Sequence, residues 1–313
     1  MLGCTIIAFL IAVADLALCG LISNGFIVTV AIIQWTKRRS LSSNEQLLMI
    51  LGISNFCITV LLAASLIGNQ LNNRSYLLLQ IIFRVAIFLL YSRFWLTAWL
   101  CVFYCLKIVN STYSAFLWCK LRISQLIPHL LAASLVVSFF LSVFSILHLP
   151  VQSQSNTTAC TANMTQAKMG IDFSRDRILL LSLGSGCPLL VVSLCSILIV
   201  ASLCRHICRM RSAASSFKSH QTEAHIKAAG TVVFLLILYL LFYVAESLPL
   251  IVGFEGSDLF ELLVLMVYAP AQATILVLVN PKLKQAAARV LSRRTCDAGH
   301  AFYSAVLGIV LNN

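Results

Sequence analysis

An α-helix needs about 20 consecutive apolar residues to cross the roughly 30 Å hydrocarbon core of a bilayer. Runs of that length recur seven times in this chain, at about Thr5–Ile33, Leu47–Ile67, Leu77–Ile108, Leu126–Leu149, Ile178–Cys204, Ala228–Val252 and Leu259–Val279. They consume most of the 313 residues, 60% of which are hydrophobic and only 10% charged, with a mean hydropathy of +0.96. In hydrocarbon every backbone N–H and C=O must be satisfied within its own segment, so such runs become helices. The expectation is an all-α, seven-transmembrane helical bundle, a single domain over residues 1–313, with 280–313 as a cytoplasmic tail. The first run lacks a basic leader and a small-residue cleavage pattern and carries Asp15, so it reads as a retained span. Most of the 12 cysteines fall inside spans, where a thiol packs as a small apolar group; Cys4 and Cys160 are the two placed outside, where they could bridge.

Charge sets the direction of threading. The connections after spans one, three and five and the tail carry 16 Lys and Arg, against four (Arg74, Lys168, Arg175 and Arg177) on the opposite side. Positive residues mark the cytoplasmic face, which places the N-terminus outside and the C-terminus inside. A net charge of +12 is then directed at anionic inner-leaflet lipid, with no need of a nucleic acid. The sequons at Asn156, Asn163 and Asn73 fall on the outer side and that at Asn110 on the inner; Asn156 and Asn163 are the best glycosylation candidates.

Two spans carry more than apolar filler. In FWLTAWLCVFYCLKIVNS (94–111), Trp95 and Trp99 lie about 18 and 12 Å from the inner edge marked by Lys107, too deep for the interfacial aromatic belt. At 100° per residue they share a face with Phe88 and Val102, either as ordinary helix packing or as the aromatic wall of a ligand cavity. Arg93 lies about 200° from Trp95, on the opposite face, where it snorkels or meets another helix. In span six, Tyr239, Tyr243 and Glu246 follow at i, i+4 and i+7, with Glu255, Asp258 and Glu261 across the next short loop. Glu246 is either an interfacial carboxylate or part of an acidic mouth favouring cationic ligands. Pro188 and Pro270 permit kinks in spans five and seven.

Enzyme chemistry has no foothold in the motifs. The chain has no glycine-rich phosphate loop, HExxH or GxSxG, and no cofactor is expected. In CRHIC (204–208) a continuous helix turns His206 about 200° from Cys204, so no metal site is expected there. Transport is disfavoured by the lack of an evident internal repeat.

Several motifs in sequence order resemble one family. NGFI (24–27), LGISNFCI (51–58), FWLTAWLCVFYCLKIVNSTYSAFLWCKLRI (94–123), SLCRHICRM (202–210), TEAHIKAAGTVVFLLILY (222–239) and ILVLVNPKLKQ (275–285) are similar to the type 2 taste receptors, the bitter taste receptors among G-protein-coupled receptors. The resemblance implies a plasma-membrane receptor, no enzyme, that binds small bitter compounds in an outer-half pocket and activates a heterotrimeric G protein of the gustducin type, with a receptor oligomer as a further possibility. It implies ligand contacts at Trp95, with Trp99 one turn deeper, and at Tyr239; the shared helix faces and the acidic mouth add Phe88, Tyr243, Glu246 and Glu261 as candidates. On the inner side it implies G-protein coupling through Tyr104, Lys107, His206, His225 and Lys227. Asn24, Asn55 and Gln272 would form a polar switch between helices. Four positions at three sites depart from the family pattern: Asn55 replaces an arginine, Gln272 and Ala273 replace His-Ser, and Gly230 replaces a lysine. The paired loss of a cation and an imidazole reads as compensation, an amide pair standing in for a charged one; altered basal activity or a pseudogene product is the alternative. A vomeronasal type 1-like chemoreceptor, or a small transporter or membrane scaffold, are the competing readings.

Overall fold

The computed structural model describes residues 2–70, 76–109, 114–148, 178–212, 219–252, 257–290 and 292. They form α1 (Leu2–Arg38), α2 (Ser43–Gln70), α3 (Tyr76–Ile108), α4 (Ser114–His148), α5 (Cys187–Ser212), α6 (Ser219–Val252) and α7 (Ser257–Val279). A helical turn at residues 178–181 and a π-helical segment, Ser182–Gly186, lead without a break into α5. A further helix, α8, spans residues 281–290. Seven of these helices are long and apolar enough to cross a membrane.

The order of packing follows the chain. α1 lies against α2 and α7, α3 against α2, α4 and α5, and α6 against α5 and α7. α3 is the central helix, with 56% of its most apolar window inside the protein against 28% for α4. Large apolar residues such as Ile22, Leu121, Phe140 and Leu241 face outward. In water such a surface would drive association; in a bilayer it is the solvent-compatible face.

Local chemistry explains the ends and irregularities. α1 stops where Arg39 enters the left-handed region at φ 57°, its N–H bonding back to the Trp35 carbonyl at 2.8 Å. α2 opens with a capping box, the Glu45 carboxylate accepting from the Ser42 N–H at 2.9 Å. Asn280 separates α7 from α8: its Oδ1 accepts from the Lys282 N–H at 3.0 Å, and Pro281 occupies the first helical position, where its missing N–H costs nothing. Lys282 then reaches Glu45 at 2.5 Å and Leu283 is buried, so α8 is fixed against the start of α2. The π-helical segment lies just before Pro188, which cannot donate to the Gly184 carbonyl, and the Cys187 N–H bonds instead to the Ser182 carbonyl five residues back. A β-carbon on Gly184 would overlap the Tyr91 ring, so only a glycine lets α3 and this segment approach so closely.

Candidate functional site

Two polar clusters occupy the interior, one helical turn apart. The first is built of amides. Asn55 on α2 donates through Nδ2 to Asn24 Oδ1 on α1 at 3.1 Å and to Gln272 Oε1 on α7 at 2.9 Å. Asn24 Nδ2 donates to the carbonyls of Gly20 at 2.9 Å and Ala269 at 3.3 Å. Gln272 Nε2 donates to Thr97 Oγ1 on α3 at 2.9 Å, and Thr97 donates in turn to the Arg93 carbonyl at 2.8 Å. Asn24, Asn55, Thr97 and Gln272 are all fully buried. Four helices are joined by neutral groups whose donors nearly all find acceptors, the arrangement that buried amides need to be stable. The expected Asn55–Gln272 amide pair is therefore present as a direct hydrogen bond. Gly20 makes room for it, since a β-carbon there would meet Thr59 at 3.3 Å and Pro270 at 3.6 Å.

The second cluster is aromatic and holds a charge. Phe94 stacks on Tyr239 with centroids 4.8 Å apart and 13° between planes, and meets Phe242 at 5.1 Å. Phe242 and Tyr268 touch edge to face at 5.1 Å across α6 and α7. Among these rings lies Arg93, fully buried, its guanidinium carbon 4.3 Å from the Tyr268 centroid, 5.1 Å from Phe94 and 5.6 Å from Phe242. Arg93 thus meets other helices and does not snorkel. The Tyr239 hydroxyl donates to the Ser185 carbonyl at 2.8 Å, tying α6 to the π-helical segment of the fifth span.

The tryptophans occupy a different side of α3. Trp95 and Trp99 stack with centroids 6.0 Å apart, and Trp99 Nε1 donates to Ser134 Oγ on α4 at 2.5 Å. Both are half-buried, and Phe88 and Val102 on the same helix are also partly covered. They are not brought together with Tyr239, which stacks on Phe94, about 100° round α3 from Trp95. Between α4 and the start of the fifth span lies an open apolar cleft of about 540 Å³ lined by residues including Phe140, Phe144 and Leu180. Tyr243 lies by Gly186, and Glu246, one turn further along α6, is half-buried. Near the far end of α3, Tyr104 is partly covered beside Asn44 and Lys107 is exposed. His206, His225, Lys227 and Glu261 have helical backbone, but their side chains lie outside the described residues, as do Asn73, Asn110, Asn156, Asn163, Cys4 and Cys160 entirely or in their side chains.

Sequence reasoning did not single out Thr97, Phe94, Phe242 or Tyr268. A signal was there: Arg93 with Thr97 and Tyr268 with Gln272 are i, i+4 polar pairs in otherwise apolar spans, each pair lying on one helix face.

Comparison with known proteins fits this geometry. The family model for "Taste receptor protein (TAS2R)" matches residues 1–295. Taste receptor type 2 member 4 of Homo sapiens is 32% identical over 288 residues, covering 90% of this chain and 96% of the relative, and the Pan troglodytes protein gives the same figures. Taste receptor type 2 member 39 of Macaca mulatta is 32% identical over 276 residues, covering 86% of this chain and 82% of the relative. Among solved structures, squid rhodopsin superposes with a TM-score of 0.65 at 13% identity, covering 91% of this chain and 85% of its own.

Proposed function

The chain belongs to the taste receptor type 2 family, a multi-pass plasma-membrane G-protein-coupled receptor for bitter taste, and from that premise we propose how it receives a ligand and passes the signal on. Its family and fold are those of a receptor, with small ligands and a G protein as partners. The N-terminus faces outward and the tail inward, as the Lys and Arg distribution favours. Bitter compounds enter from the outer end between spans three, five, six and seven, with Tyr239, Tyr243 and Glu246 along α6 and Glu261 at the mouth, while Phe88, Trp95 and Trp99 offer a separate aromatic surface on the α4 side of α3. Tyr104, Lys107, His206, His225 and Lys227 meet a G protein of the gustducin type on the inner side. Anionic lipid lies against the basic connections, and Asn156 and Asn163 carry glycans outside.

The observation that carries this reading is the aromatic cluster joining α3, α6 and α7, one turn from the amide node that ties α7 to α1, α2 and α3. A ligand that parts the rings changes the spacing of α6 and α7, and the amide node fixes the pivot. Ligand binding then shifts a population toward the state that admits the G protein. Calcium imaging of cells expressing the receptor with a gustducin-type chimera, over a panel of bitter compounds, tests it. At least one compound should evoke a response, and Trp95→Ala should raise its effective concentration at equal surface level. Silence across the panel despite surface expression would overturn the ligand reading; an unchanged response in Trp95→Ala would remove that residue from the pocket.

A further inference from the structure

Arg93 is fully buried, yet Nε, Nη1 and Nη2 all lack a hydrogen-bond partner among the described residues. A guanidinium carries five N–H donors in a rigid planar fork, and in a membrane-spanning bundle unmade donors on a charged group are expensive. The faces of Phe94, Phe242 and Tyr268 attract the cation without accepting its hydrogen bonds in the way an oxyanion does. The Glu246 carboxylate, one turn beyond Phe242 on α6, attracts it through space without a hydrogen bond to it. The fork is therefore held in position and chemically unfilled.

We propose that Arg93 is an anion-anchoring subsite, taking the carboxylate or sulfonate of an acidic aromatic ligand whose ring lies against Phe242 and Tyr268. The proposal rests on the receptor reading above and names a ligand class for it. A carboxylate or sulfonate presents two oxygens at the spacing of the guanidinium fork, which supplies both the missing acceptors and the countercharge. Phe242 and Tyr268 close over the guanidinium, their edge-to-face contact bridging α6 and α7. The anion reaches Arg93 as that contact opens, so binding selects the state with these two helices apart. The ligand also competes with Glu246 for Arg93 and releases α6 from an attraction to α3. Acidic ligands thus act at Arg93 and cationic ones at the Glu246 mouth, two subsites of opposite preference on adjoining turns.

The test uses the full-length receptor in lipid nanodiscs, with thermal unfolding as the readout and empty nanodiscs as the blank. The probes are 2-naphthalenesulfonate and its neutral analogue, 2-(methylsulfonyl)naphthalene. The sulfonate should stabilise the wild type at a concentration about tenfold lower than the sulfone, as expected for a charge-assisted pair. Arg93→Gln and Arg93→Met should abolish the difference, Arg93→Lys should keep part of it, and Glu246→Gln should tighten the sulfonate. Equal potency of the two probes on the wild type, no shift with either, or a preference surviving in Arg93→Met overturns the proposal. The wild-type probe pair decides the matter even where a variant does not fold. No G-protein response is read, so a failed sulfonate leaves the receptor reading intact, and a receptor silent in cells can still discriminate the two probes here.

Discussion

The two buried polar clusters are built on the same two helices, one turn apart, and solve the same problem in opposite ways. Thr97 and Gln272 belong to the amide node; Arg93 and Tyr268, each four residues earlier, belong to the aromatic cluster. In the node, neutral amides bond one another across four helices and every amide donor finds an acceptor, Asn55 Oδ1 being the one amide oxygen there without a partner among the described residues. In the aromatic cluster a full charge is surrounded by rings and has no hydrogen bond among the described residues. A satisfied network resists rearrangement, because any motion strands a donor or acceptor. An unsatisfied cation resists nothing of the kind, and any motion that brings it an acceptor is favourable. Under the proposed mechanism, the node is the pivot and the aromatic cluster the responsive half.

Substitutions can break or sharpen that contrast, from the largest effect downward. Asn55→Leu strands Asn24 Oδ1 and Gln272 Oε1 together, and should cost about 2 kcal/mol of stability, read as a fall in unfolding temperature in nanodiscs. Asn55→Arg restores the residue of the family pattern without its partner; it should destabilise alone and recover by about 1 kcal/mol when combined with Gln272→His, a coupling that a double-mutant cycle measures. Additive effects would show that the amide pair does not replace a charged one. In the other cluster the sign reverses: Arg93→Met removes an unpaired buried charge and should stabilise the fold by about 1 kcal/mol. A loss of stability there would make Arg93 a structural element and erase the contrast. Lys282→Gln, at the α2–α8 contact, should change stability by less than about 0.5 kcal/mol, because the lysine side chain is 47% exposed and its ion pair is screened by solvent.

Hydropathy alone makes the fold legible here, since the bilayer leaves an apolar run of 20 residues little choice but a helix. The angular arithmetic also separates Arg93 from Trp95 correctly. What it cannot supply is which face of α3 looks inward, because that span is apolar all round and gives no preferred side; the partner helices decide, and they put Arg93 in the centre and Trp99 against Ser134. α8 lies within the stretch read as a tail, although Asn280 followed by Pro281 is a helix-start signal. The π-helical segment is signalled only by Pro188, since the winding before a proline depends on which carbonyls neighbouring helices can satisfy. Asn24, Asn55 and Gln272 are legible as a group through the family motifs; Thr97, their link to α3, is not, because a lone threonine in a span usually bonds its own backbone, as this one also does.

The fit of Tyr91 against Gly184 imposes an order of events. A turn of the fifth helix large enough to bring the side chain of Leu183 or Ser185 into the space that Gly184 leaves to the ring would make them overlap, since even one added carbon there does so. Such a rotation requires the ring to swing aside first. If the fifth helix rotates on activation, Tyr91 acts as a pawl on it, and a spectroscopic probe at position 91 should report earlier than one placed on α5 itself.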